Sequence, residues 1–413
     1  MVYGGSMKKK LILIISLIFI TIIAFFVKEK FNVTKDSDIP LVTKKETRLL
    51  TMNLEQTAGS GDYKTVTQSE WPTDGYKFNS ELSRCENGSE LSWNNTKKTI
   101  IVSGNISDKC YVYFDKILTL ANYVSSQYTG TQGGNGIYYH GSSLANGAGD
   151  NSYRYAGANP NNFVCFGSDV SPCPENNLYR IIGIFDGKAK LIKYKSAKSN
   201  LLGTDGGYYT NGEDYYKWSN LSTCPSSTAY LESNIIFLAI GNPDPTDGCN
   251  MWDYSDLNKI NLNNNYLNNI GTEWSNLIED TTWKTSGYTT YDVVVKDLFT
   301  AEITNATKTY GPNDGTSKIG LMYASDYGYA FLPNRYDVKI KDYYNYRTEN
   351  WLYRELAWTL TTIGGSIFFI NSGNGSTTNS TNFNFVYPTF YLKPNVAYKS
   401  GTGTSSDPII IGD

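Results

Sequence analysis

A chain of 413 residues with a formal net charge of −3 and only 18% charged residues lacks the clustered basic face that nucleic-acid binding requires. A single histidine, His140, confines histidine-based nucleophile activation to one position and, with no C-x-x-C in the chain, leaves zinc readings short of ligands. Tyr is abundant, at 34, and Asn is visibly enriched, a composition suited to stacking on sugar rings and hydrogen bonding to their hydroxyls. AT-rich codons produce the same enrichment with no ligand at all.

Residues 1–10 read as a cytoplasmic tail ending in Lys8, Lys9 and Lys10. The run Leu11 to Val27, polar only at Ser16 and Thr21, is roughly 26 Å long as a helix, enough to cross a hydrocarbon core. It reads as a single-pass anchor that places the C-terminal domains outside the cell. Cleavage after Ala24 is the alternative, opposed by Phe25, Phe26 and Val27, which carry the apolar run past the cut. Residues 28–69 are polar and charged and read as a stalk, with Leu49, Leu50 and Leu54 enough for one short helix.

Six cysteines follow the span: Cys85, Cys110, Cys165, Cys173, Cys224 and Cys249. They contain no C-x-x-C and have no second histidine to help bind metal, so disulfides in an oxidising exterior are expected, paired as nearest neighbours. Six buried free thiols are the competing reading.

Residues 70–114 form a small antiparallel β module. Its strand candidates are Tyr76 to Phe78, Glu90 to Trp93, Thr99 to Val102 and Cys110 to Phe114, with turns at Asn87-Gly88 and Gly104-Asn105. So small a module buries little core, which makes a Cys85–Cys110 staple reasonable. Residues 115–152 are expected to hold a helix with Asp115 as N-cap, then a Gly- and Asn-rich linker carrying His140 as a loop residue.

The large domain spans 153–399, with a tail at 400–413. Leu178 to Phe185 and Lys188 to Tyr194 read as a hairpin around Asp186-Gly187. Leu201 to Ser219 is irregular. Leu257, Ile260, Leu267 and Ile270 repeat at helical spacing behind Ser255, and Trp274, Leu277 and Ile278 continue into a second short helix. Strands are expected at Asp292 to Val295, Ile319 to Tyr323, Trp358 to Thr361, Ser366 to Ile370 and Asn384 to Leu392, the last broken or placed at an edge by Pro388. The fold class is mostly β with some α (α+β).

The segments CFGSD from Cys165, Cys173-Pro174, NLYRIIG from Asn177, KIGLMYASDYGY from Lys318, and YLKP from Tyr391 followed by SGTGTSSDPII from Ser400 resemble a family of exported surface proteins of AT-rich gut Bacilli and Mollicutes relatives. The order of elements is also similar to the C-type-lectin-like fold, including its formylglycine-generating branch. That resemblance implies a binding domain with no assigned activity. The late cysteine pair of the formylglycine-generating enzymes has no counterpart, since no cysteine follows Cys249. The sugar-binding triplets of calcium-dependent lectins are answered only by Asn242-Pro243-Asp244 and Trp252-Asp253, spaced too tightly and placed too early. Asp244, Asp247, Asp253 and Asp256 are a weak calcium candidate set, with a solvated polar turn as the simpler account; no other cofactor is indicated.

No catalytic motif is present, and the chain reads as a non-enzyme. The expected function is cell-surface binding or adhesion, with glycan, protein or cell-wall polymer as partner. The alternatives are a glycan- or wall-acting hydrolase using a carboxylate pair such as Glu279 with Asp280 or Glu349 with Glu355, or a purely structural surface role. The candidate binding surface is the polar stretch Asn371 to Asn384, an exposed loop carrying Asn371, Asn374, Asn379 and Asn382. Trp351, Trp358, Phe383 and Tyr387 are its candidate stacking residues, with core packing the alternative fate of each.

Overall fold

The computed structural model describes residues 50–72, 75–105, 107–220, 252–288, 290–304, 315–363, 366–371, 374–378 and 381–412. The expected tail and anchor (1–27), most of the stalk, Cys224, Cys249, Asp244, Asp247 and Asn379 lie outside them. No helix among the described residues is long and apolar enough to cross a membrane. Strands predominate, in several sheets, with short helices between them. Two compact units result, one of 50–54, 63–71 and 78–114, the other of 55–62, 72–77 and 115–412 among the described residues.

The strands of the N-terminal part are β1 (Leu50–Glu55), β2 (Tyr63–Val66), β3 (Tyr76–Phe78), β4 (Arg84–Cys85), β5 (Glu90–Asn94), β6 (Thr99–Ser103) and β7 (Cys110–Lys116). The four expected strands are present. Within the described part of the expected stalk, Leu50 to Leu54 is a strand rather than a short helix: it pairs with Cys110 to Phe114, burying Met52 and Leu54. That pairing is parallel, so the module is mixed rather than antiparallel. Alternation was too short at Leu50 to announce a strand whose partner lies about 60 residues on, because parallel pairing leaves no turn signal beside it. The β5–β6 hairpin runs in register from Glu90 opposite Ser103 to Asn94 opposite Thr99. Phe114 collects Trp71, Phe78 and Trp93 edge-on, at centroid distances of 6.3, 5.8 and 5.0 Å. Cys85 lies opposite Cys110 across β4 and β7, and the two are joined by a disulfide.

The second unit carries β8 (Ile137–Tyr139), β9 (Tyr153–Tyr155), β10 (Phe163–Cys165), β11 (Leu178–Phe185), β12 (Lys188–Lys193), β13 (Tyr208–Thr210), β14 (Asp214–Lys217), β15 (Thr281–Trp283), β16 (Gly287–Tyr288), β17 (Gly315–Ser317), β18 (Leu356–Ile363), β19 (Ser366–Asn371), β20 (Asn374–Thr378), β21 (Phe383–Asn384), β22 (Thr389–Tyr391), β23 (Ala397–Ser400) and β24 (Ile409–Gly412). Its largest sheet runs β22-β12-β11-β10-β24-β23, with β9 on β11 and β8 on β9. The β11–β12 hairpin forms as its sequence requires: Asp186 and Gly187 both take positive φ, 48° and 72°, the two-residue turn whose twist suits paired strands. Where β9 joins, the register of β11 shifts at Gly183. A Cβ there would stand 2.3 Å from the Tyr153 carbonyl, so the close approach of β9 needs glycine. Cys165 and Cys173 are bonded, pinning the loop before β11.

Residues 115–152 are not a linker. The helix begins at Leu120, later than expected, because β7 continues to Lys116 and Thr119 rather than Asp115 caps it, accepting from the Asn122 amide at 3.2 Å. Its buried residues Leu120, Ala121 and Val124 join the main core with Ile137 of β8. The expected helix behind Ser255 is present as wide π-type turns over Leu257–Tyr266 that run on through Leu267–Asn269, with Ser255 Oγ accepting from the Asn258 amide. The strand expected at Asp292 to Val295 is reduced to one bridge, Val294 with Lys339, and a short helix, Val295–Phe299, follows at once, since Val295, Leu298 and Phe299 bury one helical face. Ile319 to Tyr323 is irregular apart from one bridge at Gly320. It leads into the helix Ala324–Tyr329, whose Asp326 accepts from the Tyr323 amide at 2.8 Å.

Candidate functional site

Of the four aromatics expected to form a stacking platform, three are core residues. Trp351 and Trp358 are buried and spend their indole N–H groups on the carbonyls of Tyr155 and Tyr216, at 2.8 and 2.7 Å. Tyr387 is buried with the Arg354 guanidinium 4.8 Å from its ring centroid. The polar stretch around them is also not a simple loop. Asn371 and Asn374 face each other at the end of the β19–β20 hairpin, so polar composition marked a hairpin where a loop was expected. Asn382 is exposed beside Phe383.

Phe383 alone of the four is exposed, and other rings gather around it. The small sheet β13-β14-β21 places Tyr209 opposite Tyr215 and Lys217 opposite Phe383. Strand alternation then sorts the residues by face: Tyr216 and Asn384 are buried, whereas Tyr209 and Phe383 are 47% and 39% exposed. On the outer face Tyr209 lies 5.1 Å from Phe383 and 6.3 Å from Tyr215, and Tyr215 stacks on Phe385 at 4.7 Å with 17° between the planes. Lys217 sits over Phe383 at 5.2 Å and Lys198 over Phe385 at 5.9 Å. The hairpin is closed around Asn211 and Gly212, with Gly212 at φ 78°, and it is tied down by Asp214, which accepts from the Ser199 amide at 2.6 Å and the Tyr208 hydroxyl at 2.9 Å. Burial raises the Asp214 pKa, but the Ser199 and Tyr208 hydrogen bonds outweigh it and hold the carboxyl below its ordinary value. Lys198 pairs with Glu213 at the tip.

Sequence reading treated Leu201 to Ser219 as irregular and so missed Tyr209 and Tyr215, while Phe385 stood unremarked in the strand expected at Asn384 to Leu392. The signal was present in YYTNGEDYYK, where a turn dipeptide separates two short runs, but adjacent tyrosines on both sides hide the period of two.

One member of each carboxylate pair is otherwise engaged. Glu279 binds Lys188 at 2.8 Å. Glu349 takes both oxygens to Arg335 at 2.9 Å, and that pairing lowers its pKa. Of the calcium candidates, Asp256 accepts from the Asn220 amide at 2.9 Å, and no group of three acidic, histidine or cysteine residues suited to a metal occurs among the described residues. His140 follows β8 and is fully buried. Its Nδ1 accepts from the Ala148 amide at 3.1 Å, leaving Nε2 to donate toward the Tyr336 hydroxyl at 3.4 Å. Burial, with Arg154 nearby, pushes its pKa well down, so it is a neutral packing residue.

The strongest ionic feature is closed to solvent. Lys190 binds Asp326 at 2.6 Å, and Arg154 binds Asp150 at 2.6 Å and stands 3.9 Å from Asp326. Lys190, Arg154 and Asp326 are all at most 3% exposed in their side chains, which makes the node part of the core rather than a surface that meets a ligand. No family model, no curated protein and no solved structure matches the chain.

Proposed function

We propose that the chain is a cell-surface binding protein that holds a glycan or wall polysaccharide against the outer face of β13, β14 and β21. The observation that carries this reading is the row of neighbouring rings on the outer side of this small sheet, in which Tyr209 and Phe383 are exposed and Tyr215 and Phe385 are half-buried beside them. Sugar rings present C–H faces that pack on such aromatics, while the Lys217 ammonium over Phe383 stands nearby to meet hydroxyls. An open strand face, rather than an enclosed cavity, suits a polymer that continues past the site on both sides. Display outside the cell, with Leu11 to Val27 as anchor, is supported by the Cys85–Cys110 and Cys165–Cys173 disulfides, which persist in oxidising surroundings. A C-type-lectin-like plan for the second unit is supported by element order: a hairpin, two helices, then short strands and a terminal strand beside β10.

The test is retention of the full-length chain, in detergent, on immobilised wall polysaccharides and insoluble glycans. Tyr209→Ala with Phe383→Ala is expected to abolish retention while leaving the melting temperature nearly unchanged, because both side chains are exposed. Retention equal to that of the unaltered chain would sink the assignment.

A further inference from the structure

A concave feature lies elsewhere in the same unit. A cleft of about 320 Å³ is lined by Tyr123, Gln127, Asn135, Tyr155, Asn159, Asn161 and other residues of four separate segments. Its floor is apolar and buried, made by Ala156, Pro160 and Ile409 with the ring of Tyr155, and its rim is polar and exposed at Asn135, Asn159, Asn161 and Thr402. No Asp, Glu, Lys or Arg lines it. Tyr123 keeps its proton, its pKa pushed up to about 12 by burial and by the hydrogen bond with Tyr398, and burial also raises Tyr155. The cleft is therefore uncharged.

Its rim is held from behind. Arg180, itself buried, donates from Nε to Asn162 Oδ1 at 2.6 Å and from Nη2 to the Pro160 carbonyl at 2.9 Å. Its guanidinium lies between the rings of Phe163 and Trp351 at 4.3 and 4.6 Å. Asn162 in turn donates to the Ile181 carbonyl at 2.8 Å. These bonds fix the turn Asn159-Pro160-Asn161, yet the side-chain amides of Asn159 and Asn161 make no hydrogen bond among the described residues. The opposite wall comes from the C-terminal loop. Asp407 accepts from the Thr402 amide and hydroxyl at 3.0 and 2.8 Å, and the Phe163 amide donates to the Gly403 carbonyl at 2.8 Å. Gly403, at φ 82°, would place a Cβ 2.5 Å from the Asn161 carbonyl, so this approach of loop to rim needs glycine.

A rigid turn that offers two unspent amides over an apolar, ring-bearing floor is organised for a ligand before one arrives. We infer that this cleft binds a single neutral, hydroxyl-rich ring of monosaccharide size. The volume is at the small end of ligand sites. The amides of Asn159 and Asn161 each offer a donor and an acceptor, matching vicinal hydroxyls, and Tyr155 with Ile409 covers a C–H face. A charged sugar finds no counter-ion here and loses its hydration on entry.

The inference is independent of the sheet-face reading and goes beyond it. The test is ligand-observed NMR and calorimetry on the full-length chain with neutral methyl glycosides, including the N-acetylglucosaminide, glucoside and galactoside, and with the matching glucuronide. At least one neutral glycoside is expected to bind, the glucuronide more weakly. Asn159→Ala with Asn161→Ala is expected to weaken binding by at least roughly tenfold without changing the melting temperature or retention on polysaccharide, whereas Tyr209→Ala with Phe383→Ala leaves glycoside binding intact. Absence of binding by every neutral glycoside, equal binding by the double asparagine variant, or preference for the glucuronide would overturn the assignment.

Discussion

The indole of Trp351 donates to the main-chain carbonyl of Tyr155 at 2.8 Å, and the Trp351 amide donates to the Gly157 carbonyl at 2.9 Å. A residue that sequence left between a stacking surface and the core thus holds the end of β9 from the inside. Trp351→Phe keeps most of the apolar volume but leaves the Tyr155 carbonyl without its donor. A loss of about 1–3 kcal/mol is expected, read as a lower denaturant midpoint at constant slope. No change in midpoint would show that water replaces the indole at no cost.

Reduction separates the two disulfides. The Cys85–Cys110 bond closes a loop with a sequence separation of 25 and the Cys165–Cys173 bond one of 8. Loop-closure entropy gives about 3.5 kcal/mol for the first and about 2.5 kcal/mol for the second. Cys110→Ser with Cys85→Ser is expected to lower the stability of the N-terminal module more than Cys165→Ser with Cys173→Ser lowers that of the second unit. Non-reducing peptide mapping should recover both crosslinks, and freely alkylatable thiols at these four positions would refute them.

Legibility followed locality. The β11–β12 hairpin was readable because Asp186 and Gly187 demand positive φ within two residues, and β5 with β6 because their turn lies between them in sequence. β1 was not, since its partner is β7 and its four buried residues sit in a polar stretch. The Gly- and Asn-rich run after Ser126 looked like a linker because composition cannot show that Ile137, His140 and Tyr155 turn inward. The candidate sites were less legible still. Phe383, a stacking candidate with core packing as its alternative, is exposed, but its companions Tyr209 and Tyr215 lie about 170 residues earlier, and Asn159 and Thr402 line one cleft beside the pairing of β10 with β24. Polar composition separates surface from core; it does not say which surfaces meet.

Glu302 is fully buried, accepting hydrogen bonds from the Thr361 hydroxyl and the Ser325 amide. Burial raises its pKa to about 8, against the opposing effect of those bonds. A carboxyl raised in the folded state keeps its proton after the unfolded chain has lost it. Its stabilising contribution is therefore fully present below the ordinary glutamate pKa, drains as pH rises from there to about 8, and changes no further above. The expected loss across that window is on the order of a few kcal/mol. Glu302→Gln, which keeps the shape and cannot titrate, should flatten the dependence. Denaturation at pH 5 and pH 8.5 decides the matter, and equal slopes for both proteins would remove Glu302 as the cause.

Lys190 on β12 and Asp326 at the start of its helix form a buried ion pair at 2.6 Å, inside rings of Tyr323 and Tyr391 at 4.7 and 5.4 Å from the ammonium. Burial lowers the Lys190 pKa, and the Asp326 carboxylate more than offsets it, so the lysine is held above its ordinary value and charged. Removing one partner strands the other in the core. Lys190→Met leaves Asp326 with Arg154 at 3.9 Å as its counter-charge, and Asp326→Asn leaves the ammonium among aromatics alone; each is expected to cost about 3–5 kcal/mol. The double variant, Lys190→Met with Asp326→Asn, strands neither charge. It keeps an oxygen to accept from the Tyr323 amide, and Arg154 retains Asp150. Its cost should fall well below the sum of the single costs, a coupling that a double-mutant cycle reads directly from denaturant midpoints. Additive costs would mean that each group is satisfied separately and that the pair, despite its geometry, does not act as one element of the core.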